Sequence, residues 1–240
     1  DKGTGTKREK LFPLGMNKTT QKAWVFNWEE HSMFELDLKT GKRRKNSLKF
    51  HDSSIHSFDV SAHYARPFLN GLVLQVDMNG IYYIDGESSE ASLIAEIPYH
   101  VTNVAVANDQ YVFVRLHFTA HNLCYSRVAG KWVQVPNPID NIEWACIAYD
   151  KLSNSYWVGG VKELYHFDDR FRLIKKYTEE DGMRGFGFLS ILIDNAGKVW
   201  LNNSEGLITW LEPGTGIVGY LTKKDRYQNN IYFWQITFIK

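Results

Sequence analysis

The chain has 240 residues, of which 44% are hydrophobic and 15% aromatic, so we expect a packed core rather than global disorder. Its formal net charge is only +1, which predicts no broad basic field and argues against a nucleic-acid partner. No apolar run reaches the ~18 residues that a membrane-spanning helix requires, so we expect no membrane segment in this chain.

Residues 1–21 are rich in Gly, Thr, Lys and Arg and show little periodicity, which predicts a tail or lead-in before a folded domain at residues 22–240. From there on, short apolar segments alternate with turns that contain Gly, Asn or Asp, and this pattern is typical of β-strands. No segment shows the sustained 3.6-residue periodicity of an amphipathic helix. The predicted strands are 22–26, 32–38, 47–50, 55–60, 71–76, 80–85, 92–97, 101–106, 111–116, 123–128, 131–135, 142–149, 156–160, 163–168, 172–177, 188–193, 198–201, 207–211, 217–222 and 231–239.

Five of these strands align as copies of one position in a repeat. They are MFELD, IYYID, LCYSR, LYHFD and LITWL, and successive copies start 48, 42, 41 and 43 residues apart. A period in the low forties with four short strands per period predicts an all-β chain, folded as a β-propeller of about five four-stranded blades. A β-sandwich is also built from short strands, but it does not require a regular period of this length.

The two ends of the repeat leave the closure of the propeller open. The first unit has no clearly marked inner strand upstream, whereas the predicted inner strand at 231–239 has no unit after it. This last strand completes the first blade if the chain is a closed five-bladed ring, which removes exposed sheet edges. The alternative is that the chain is a fragment of a larger propeller.

Residues 190–216 are the clearest copy of the repeat. An apolar strand ends at Asp194, a tight turn contains Gly197, the next strand carries Trp200, and Gly206 precedes the third strand. The Asp side chain can accept backbone hydrogen bonds within its own turn, Gly permits the reversal, and Trp fills space between blades. We therefore interpret these motif residues as determinants of the fold rather than as an active site.

The same stretch resembles the two-component regulator propeller repeat, and residues 147–168 match that pattern through Asp150, Trp157 and Leu164. The resemblance implies a periplasmic sensor module of hybrid two-component regulators, as found in Bacteroides-type bacteria, where such propellers report on glycans. It therefore implies an extracytoplasmic location and an oligosaccharide or other small molecule as the ligand.

The sequence contains no nucleophile elbow, P-loop, dinucleotide fingerprint, zinc motif or EF-hand loop, so we expect no cofactor. His117 and His121 have the four-residue spacing of helical metal ligands, but their neighbours predict a strand and a bend, so no metal site is expected. Cys124 and Cys146 lack metal-ligand spacing, and two buried free thiols are favoured over a single disulfide.

Propellers usually bind ligands at one end of the axis, where the loops that lead into inner strands meet the bends between second and third strands. Aromatic, Arg and Asn side chains in these places suit stacking on sugar rings and hydrogen bonding to them. Trp144 and Trp234 fit packing between blades equally well. The candidate ligand-binding residues in the loops are His56, Asn103, Trp144, Arg184, Tyr232 and Trp234, and those in the bends are Trp28, His31, Arg115, His117, Lys162 and Asn202.

Three functions are consistent with this sequence. The first is a non-catalytic sensor or ligand-binding propeller, and the second is a scaffold that binds a protein partner or a second copy of itself. The third is a five-bladed glycan-active enzyme, which requires two opposed acids on inner strands. Asp59 and Glu143 are the candidates for that pair, because the turn already accounts for Asp194.

Overall fold

A computed structural model describes residues 11–17, 21–27, 32–46, 49–50, 60–76, 80–86, 90–97, 101–116 and 122–221. Within these ranges the chain is all-β, and the short 3-10 helix Glu179–Asp181 is the helical element that follows the fourth blade. None of the described residues belongs to a helix with the length and hydrophobicity needed to cross a bilayer.

The strands form five antiparallel sheets of four consecutive strands, which are the blades of a propeller. Inner strands of successive blades contact each other, as expected for first strands arranged around one axis. The first blade is β1 (Leu11–Asn17), β2 (Lys22–Asn27), β3 (Ser32–Asp37) and β4 (Arg43–Asn46). The second blade is β6 (Val60–Phe68), β7 (Gly71–Val76), β8 (Gly80–Ile84) and β9 (Glu90–Ala95). The short strand β5 (Lys49–Phe50) pairs in parallel with the outer edge of β9.

The three remaining blades follow the same order from the axis outward. The third blade is β10 (Val101–Ala107), β11 (Tyr111–Leu116), β12 (Asn122–Val128) and β13 (Lys131–Val135); the fourth is β14 (Cys146–Asp150), β15 (Ser155–Gly159), β16 (Leu164–Phe167) and β17 (Leu173–Tyr177); the fifth is β18 (Phe188–Ile193), β19 (Val199–Asn203), β20 (Ile208–Glu212) and β21 (Ile217–Leu221). The segments that were aligned as copies of one position are the third strands of the five blades, so the predicted repeat and the propeller fold are confirmed.

The prediction that residues 1–21 are a tail or lead-in is wrong for Leu11–Asn17, which is the inner strand of the first blade. A bulge between Pro13 and Gly15 interrupts its pairing with β2, and Leu14 is buried in the core. Pro and Gly inside a strand weaken its sequence signal, and bulges are where they are tolerated. Since this blade has its own inner strand, residues 231–239, which lie outside the described residues, are not needed to complete it.

Three other strand boundaries differ from the prediction. The outer strand of the first blade is Arg43–Asn46 rather than 47–50. The prediction missed it because its mostly basic sequence lacks apolar alternation. The inner strand of the second blade is Val60–Phe68 rather than 55–60. The strand predicted at 142–149 begins only at Cys146, since the Trp144 amide donates to the carbonyl of Ile142 and keeps that segment in a turn.

The buried residues that the structure describes form four hydrophobic clusters, one between each pair of consecutive blades from the first to the fifth. In the cluster between the fourth and fifth blades, the Trp157 indole is fully buried and stacks on the His166 imidazole at a centroid distance of 3.9 Å. Cys124 and Cys146 are buried and unbridged, and burial raises the pKa of both thiols to about 12. Neither is therefore a thiolate nucleophile at neutral pH.

The Asp of the repeat motif performs the predicted structural role. In the fifth blade the Asp194 carboxylate accepts the amides of Ala196 and Lys198, and its second oxygen accepts the Trp200 indole N–H at 2.9 Å. Burial pushes the pKa of Asp194 upward, but the hydrogen bonds outweigh it and leave the pKa lowered. The turn therefore stabilises an ionised carboxylate.

Candidate ligand site at the mouth of the propeller

The mouth is the end of the axis where inner strands begin and second strands end. Each blade contributes an inter-blade loop, which precedes its inner strand, and a central bend, which joins its second and third strands. In the loop before β18, the Gly187 amide donates to the carbonyl of Val161 at 2.6 Å, and this carbonyl belongs to the central bend of the fourth blade. The Ser204 amide, in the central bend of the fifth blade, donates to the Gly187 carbonyl at 3.0 Å. Loops and bends of neighbouring blades thus meet at one end, as the sequence predicts.

Three of the predicted residues lie together between the third and fourth blades. Asn103 and Arg115 are opposite each other in the β10–β11 register. The Asn103 amide donates to the carbonyl of Ala145, and one Arg115 nitrogen donates to the carbonyl of Trp144 at 2.7 Å. A second Arg115 nitrogen forms an ion pair of 2.5 Å with Glu143.

These contacts show what the three side chains do in the fold. The carbonyls of an inter-blade loop need hydrogen-bond donors, and Asn103 and Arg115 supply them from the preceding blade. The Trp144 indole is fully buried and packs edge-to-face on Phe113 at a centroid distance of 6.4 Å. The indole therefore packs between blades, which is the alternative that the sequence left open.

The acids considered for catalysis are already engaged where the structure describes them. Glu143 has a side chain that is 70% exposed and is paired with Arg115, and Asp194 is held by its own turn. Asp59 lies outside the described residues. Among the described residues, no group of three His, Cys, Asp or Glu side chains could hold a metal ion.

The inter-blade loop before β18 is described in full, from the end of β17 to Gly187. It begins with the 3-10 helix, where the Asp181 carboxylate accepts the Thr178 amide at 2.9 Å, and Met183 fills the core beneath it. Gly182, Gly185 and Gly187 then adopt positive φ angles of 92°, 91° and 65°. Gly185 is required for a second reason, because a Cβ atom there would overlap the amide of Asn203.

The central bend of the fifth blade fixes this loop from the other side. The Asn203 amide donates to the carbonyl of Arg184 at 3.4 Å, and both the amide and the hydroxyl of Ser204 donate to the carbonyl of Phe186. Asn202, which the sequence predicted as a ligand contact, is buried at 2% exposure. The contacts with the loop come from the next two residues, Asn203 and Ser204.

The loop leaves two large side chains exposed, Arg184 and Phe186. The Arg184 guanidinium lies 4.9 Å from the centroid of the Tyr220 ring, and Phe186 is 49% exposed. Lys162 is exposed on the adjoining bend, next to the Val161 carbonyl that accepts from Gly187. Arg184 and Lys162 were predicted as site residues. Phe186 was missed, because a single Phe between two glycines has no strand periodicity; those flanking glycines were the available signal.

The remaining predicted site residues are Trp28, His31, His56, His117, Tyr232 and Trp234, and they lie outside the described residues. An open cavity of about 420 Å³ lies beside β12 and β13, lined partly by Asn122, Asn137 and Asp140. The polar groups of these three residues bond to one another: the Asn122 amide donates to Asp140 at 3.0 Å, and the Asn137 side chain donates to the Asn122 carbonyl at 3.0 Å. The amide groups of Asn122 and Asn137 are therefore engaged within the protein.

Comparison with solved structures places the fold among β-propellers. The extracellular domain of the hybrid two-component system BT3049 from B. thetaiotaomicron superposes with a TM-score of 0.63 and 15% identity, over 91% of this chain and 29% of that domain. The extracellular domain of the hybrid two-component system BT4673 from the same organism gives a TM-score of 0.62 and 12% identity, over 94% of this chain and 31% of that domain. The resemblance to sensor propellers is confirmed for the fold.

The propeller fold is also shared with enzymes. Virginiamycin B lyase from Staphylococcus aureus superposes with a TM-score of 0.56 and 11% identity, over 90% of this chain and 71% of the lyase. No protein-family model matches the sequence, and neither does any curated protein. The chain spans about a third of the length of the two sensor domains, so the similarity concerns the propeller and not those whole proteins.

Proposed function

We propose that this chain is a non-catalytic ligand-sensing propeller, the extracytoplasmic part or a relative of a two-component regulator that responds to glycans. The observation that carries the proposal is the match over more than nine-tenths of the chain to extracellular domains of two hybrid two-component systems. The repeat motif supports it independently, because Asp194 and Trp200 form the turn that the resemblance to the regulator repeat implies.

The chemistry of the mouth supports binding rather than turnover. The exposed groups of the loop before β18 and its adjoining bends include an aromatic ring and two cations, which suit stacking and hydrogen bonding to the hydroxyls of a sugar. Glu143, the described member of the pair considered for catalysis, is paired with Arg115 at the surface. A glycosidase needs one carboxyl group free to protonate the leaving group and another to act as base or nucleophile.

The test is an array of defined oligosaccharides probed with the labelled full chain, followed by calorimetry on the strongest hit. We expect saturable binding of an oligosaccharide that is recovered intact by chromatography after prolonged incubation. Cleavage of the bound oligosaccharide would overturn the non-catalytic proposal. The absence of binding to every oligosaccharide would overturn the glycan-sensing proposal.

The alternative that a specific observation favours is a lyase, because virginiamycin B lyase has the same fold. Incubation with virginiamycin B followed by mass spectrometry distinguishes it. A cleaved product would favour the lyase, whereas unchanged virginiamycin B together with oligosaccharide binding would favour the sensor.

A further inference from the structure

Phe186 is unusual for its place in the molecule. Among the residues whose side-chain exposure the structure describes, it is the one exposed aromatic residue, and the Trp and Tyr side chains in that set are buried or partly covered. The other large apolar residues that are exposed, such as Leu152 and Leu173, are aliphatic and lie in a turn and on an outer strand. Phe186 instead lies at the mouth, in the loop between the fourth and fifth blades.

The loop holds Phe186 in a fixed backbone conformation. Its carbonyl accepts from the amide of Ser204 at 3.2 Å and from the hydroxyl of the same residue. Gly185 and Gly187 on either side have positive φ angles, and Gly185 packs against Asn203 with no room for a side chain. Binding to a side chain on such a preorganised loop has a lower ordering cost than binding to a mobile one.

The surroundings of the ring indicate the kind of ligand. The other exposed side chains of this loop and of the bends that contact it include those of Arg184, Lys162, Ser204 and Glu205, and all of them are polar or charged. One ring among polar groups is far smaller than the apolar patches of several hundred Å² that mark protein docking sites. It has the size of one face of a hexopyranose ring, and Arg and Lys donate to hydroxyl oxygens without requiring a charged ligand.

We infer that Phe186 is the stacking platform of a sugar-binding subsite, with Arg184 and Lys162 as donors to the hydroxyls of the stacked pyranose. The inference rests on the proposed glycan-sensing function and assigns that function to the loop between the fourth and fifth blades. A residue that provides both a planar apolar face and a fixed position dominates binding in many interfaces.

The experiment compares the wild-type full chain with four variants by calorimetry against the strongest neutral oligosaccharide hit of the array. Phe186→Ala removes the ring, Phe186→Leu keeps apolar area but not the planar face, and Phe186→Tyr keeps the face. Leu173→Ala is the control, because Leu173 is 55% exposed on the outer strand of the fourth blade, away from the mouth. We expect Kd to rise about 30-fold for the Ala and about 10-fold for the Leu variant, and to change less than about 3-fold for the Tyr variant and the control.

The outcomes separate this inference from the function on which it rests. If the wild-type chain binds an oligosaccharide and the Ala variant, with an unchanged melting temperature, binds it equally well, the subsite is elsewhere and the sensing proposal stands. If the Leu variant binds as well as the wild type, the ring face is not the contact and the inference is overturned. If the wild-type chain binds no oligosaccharide, both proposals fail.

Discussion

Replacing Trp157 with Ala tests whether the blades are held together as the structure describes. The indole is fully buried between the fourth and fifth blades, stacks on His166 and lies 5.8 Å from the Tyr177 ring. Truncating a buried Trp to Ala removes its transfer free energy and leaves a cavity, together worth about 4 kcal/mol. Since a domain is stabilised by only about 5–15 kcal/mol, this change should lower the urea midpoint severely.

The repeat supplies a matched comparison for this prediction. Trp200 occupies the same register position in the fifth blade, opposite Leu192 and Trp210, but it is only partly buried. The free energy of unfolding should therefore fall less for Trp200→Ala, by about 2 kcal/mol. Urea unfolding followed by circular dichroism measures both. An equal loss for the two variants, or a loss below about 1 kcal/mol for Trp157→Ala, would refute the described packing between the fourth and fifth blades.

Three further predictions concern Gly185 in the loop before β18, His166 in the fourth blade and Asp194 in the turn of the fifth blade. Gly185→Ala should destabilise the chain by about 2 kcal/mol and weaken oligosaccharide binding, because a Cβ atom there overlaps Asn203 and the φ angle is positive. An unchanged urea midpoint and an unchanged affinity would contradict this prediction. Burial lowers the pKa of His166, so the folded chain binds fewer protons than the unfolded chain. The contribution of His166 to stability should be full above pH 6.5 and should decline as the pH falls below it. In urea titrations His166→Gln should reduce this pH dependence, and an unaltered pH profile would count against the prediction. Asp194→Ala removes the acceptor of two backbone amides and of the Trp200 indole N–H, and it should cost about 2 kcal/mol by thermal unfolding, with Asp194→Asn intermediate. Equal melting temperatures for the wild type and both variants would show that the turn does not need the carboxylate.

The repeat could be predicted because each blade depends on the same local chemistry. A turn such as the one at Asp194 satisfies its own amides, so its sequence signature persists without help from the rest of the chain. The inner strand Leu11–Asn17 was missed because its local sequence points away from a strand: Pro13 and Gly15 normally indicate a loop. Its strand geometry comes from pairing with β2 and from packing of Leu14 in the core, and neither can be inferred from neighbouring residues.

The candidate site could be predicted only in part, for a different reason. Arg184 and Lys162 were found from their residue type and their place in a loop or bend. Whether Trp144 faces a ligand or a neighbouring blade depends on how the preceding loop turns, which is set by hydrogen bonds of the Trp144 and Ile142 amides. Phe186 was also missed because its backbone is held by hydrogen bonds from Ser204, which is 18 residues further along the chain.

Polar residues at the inner ends of strands are poor indicators of ligand contact in this fold. An inter-blade loop presents carbonyl groups near the axis that no strand pairs, and leaving such groups unsatisfied is costly. The preceding blade supplies the donors, as Asn103 and Arg115 do for the loop before β14. Side chains used in this way hold the blades in register and have few donors left for a ligand. Specificity at the mouth is therefore expected to come from side chains that the loops expose, such as Phe186 and Arg184, rather than from the strand ends that hold the loops.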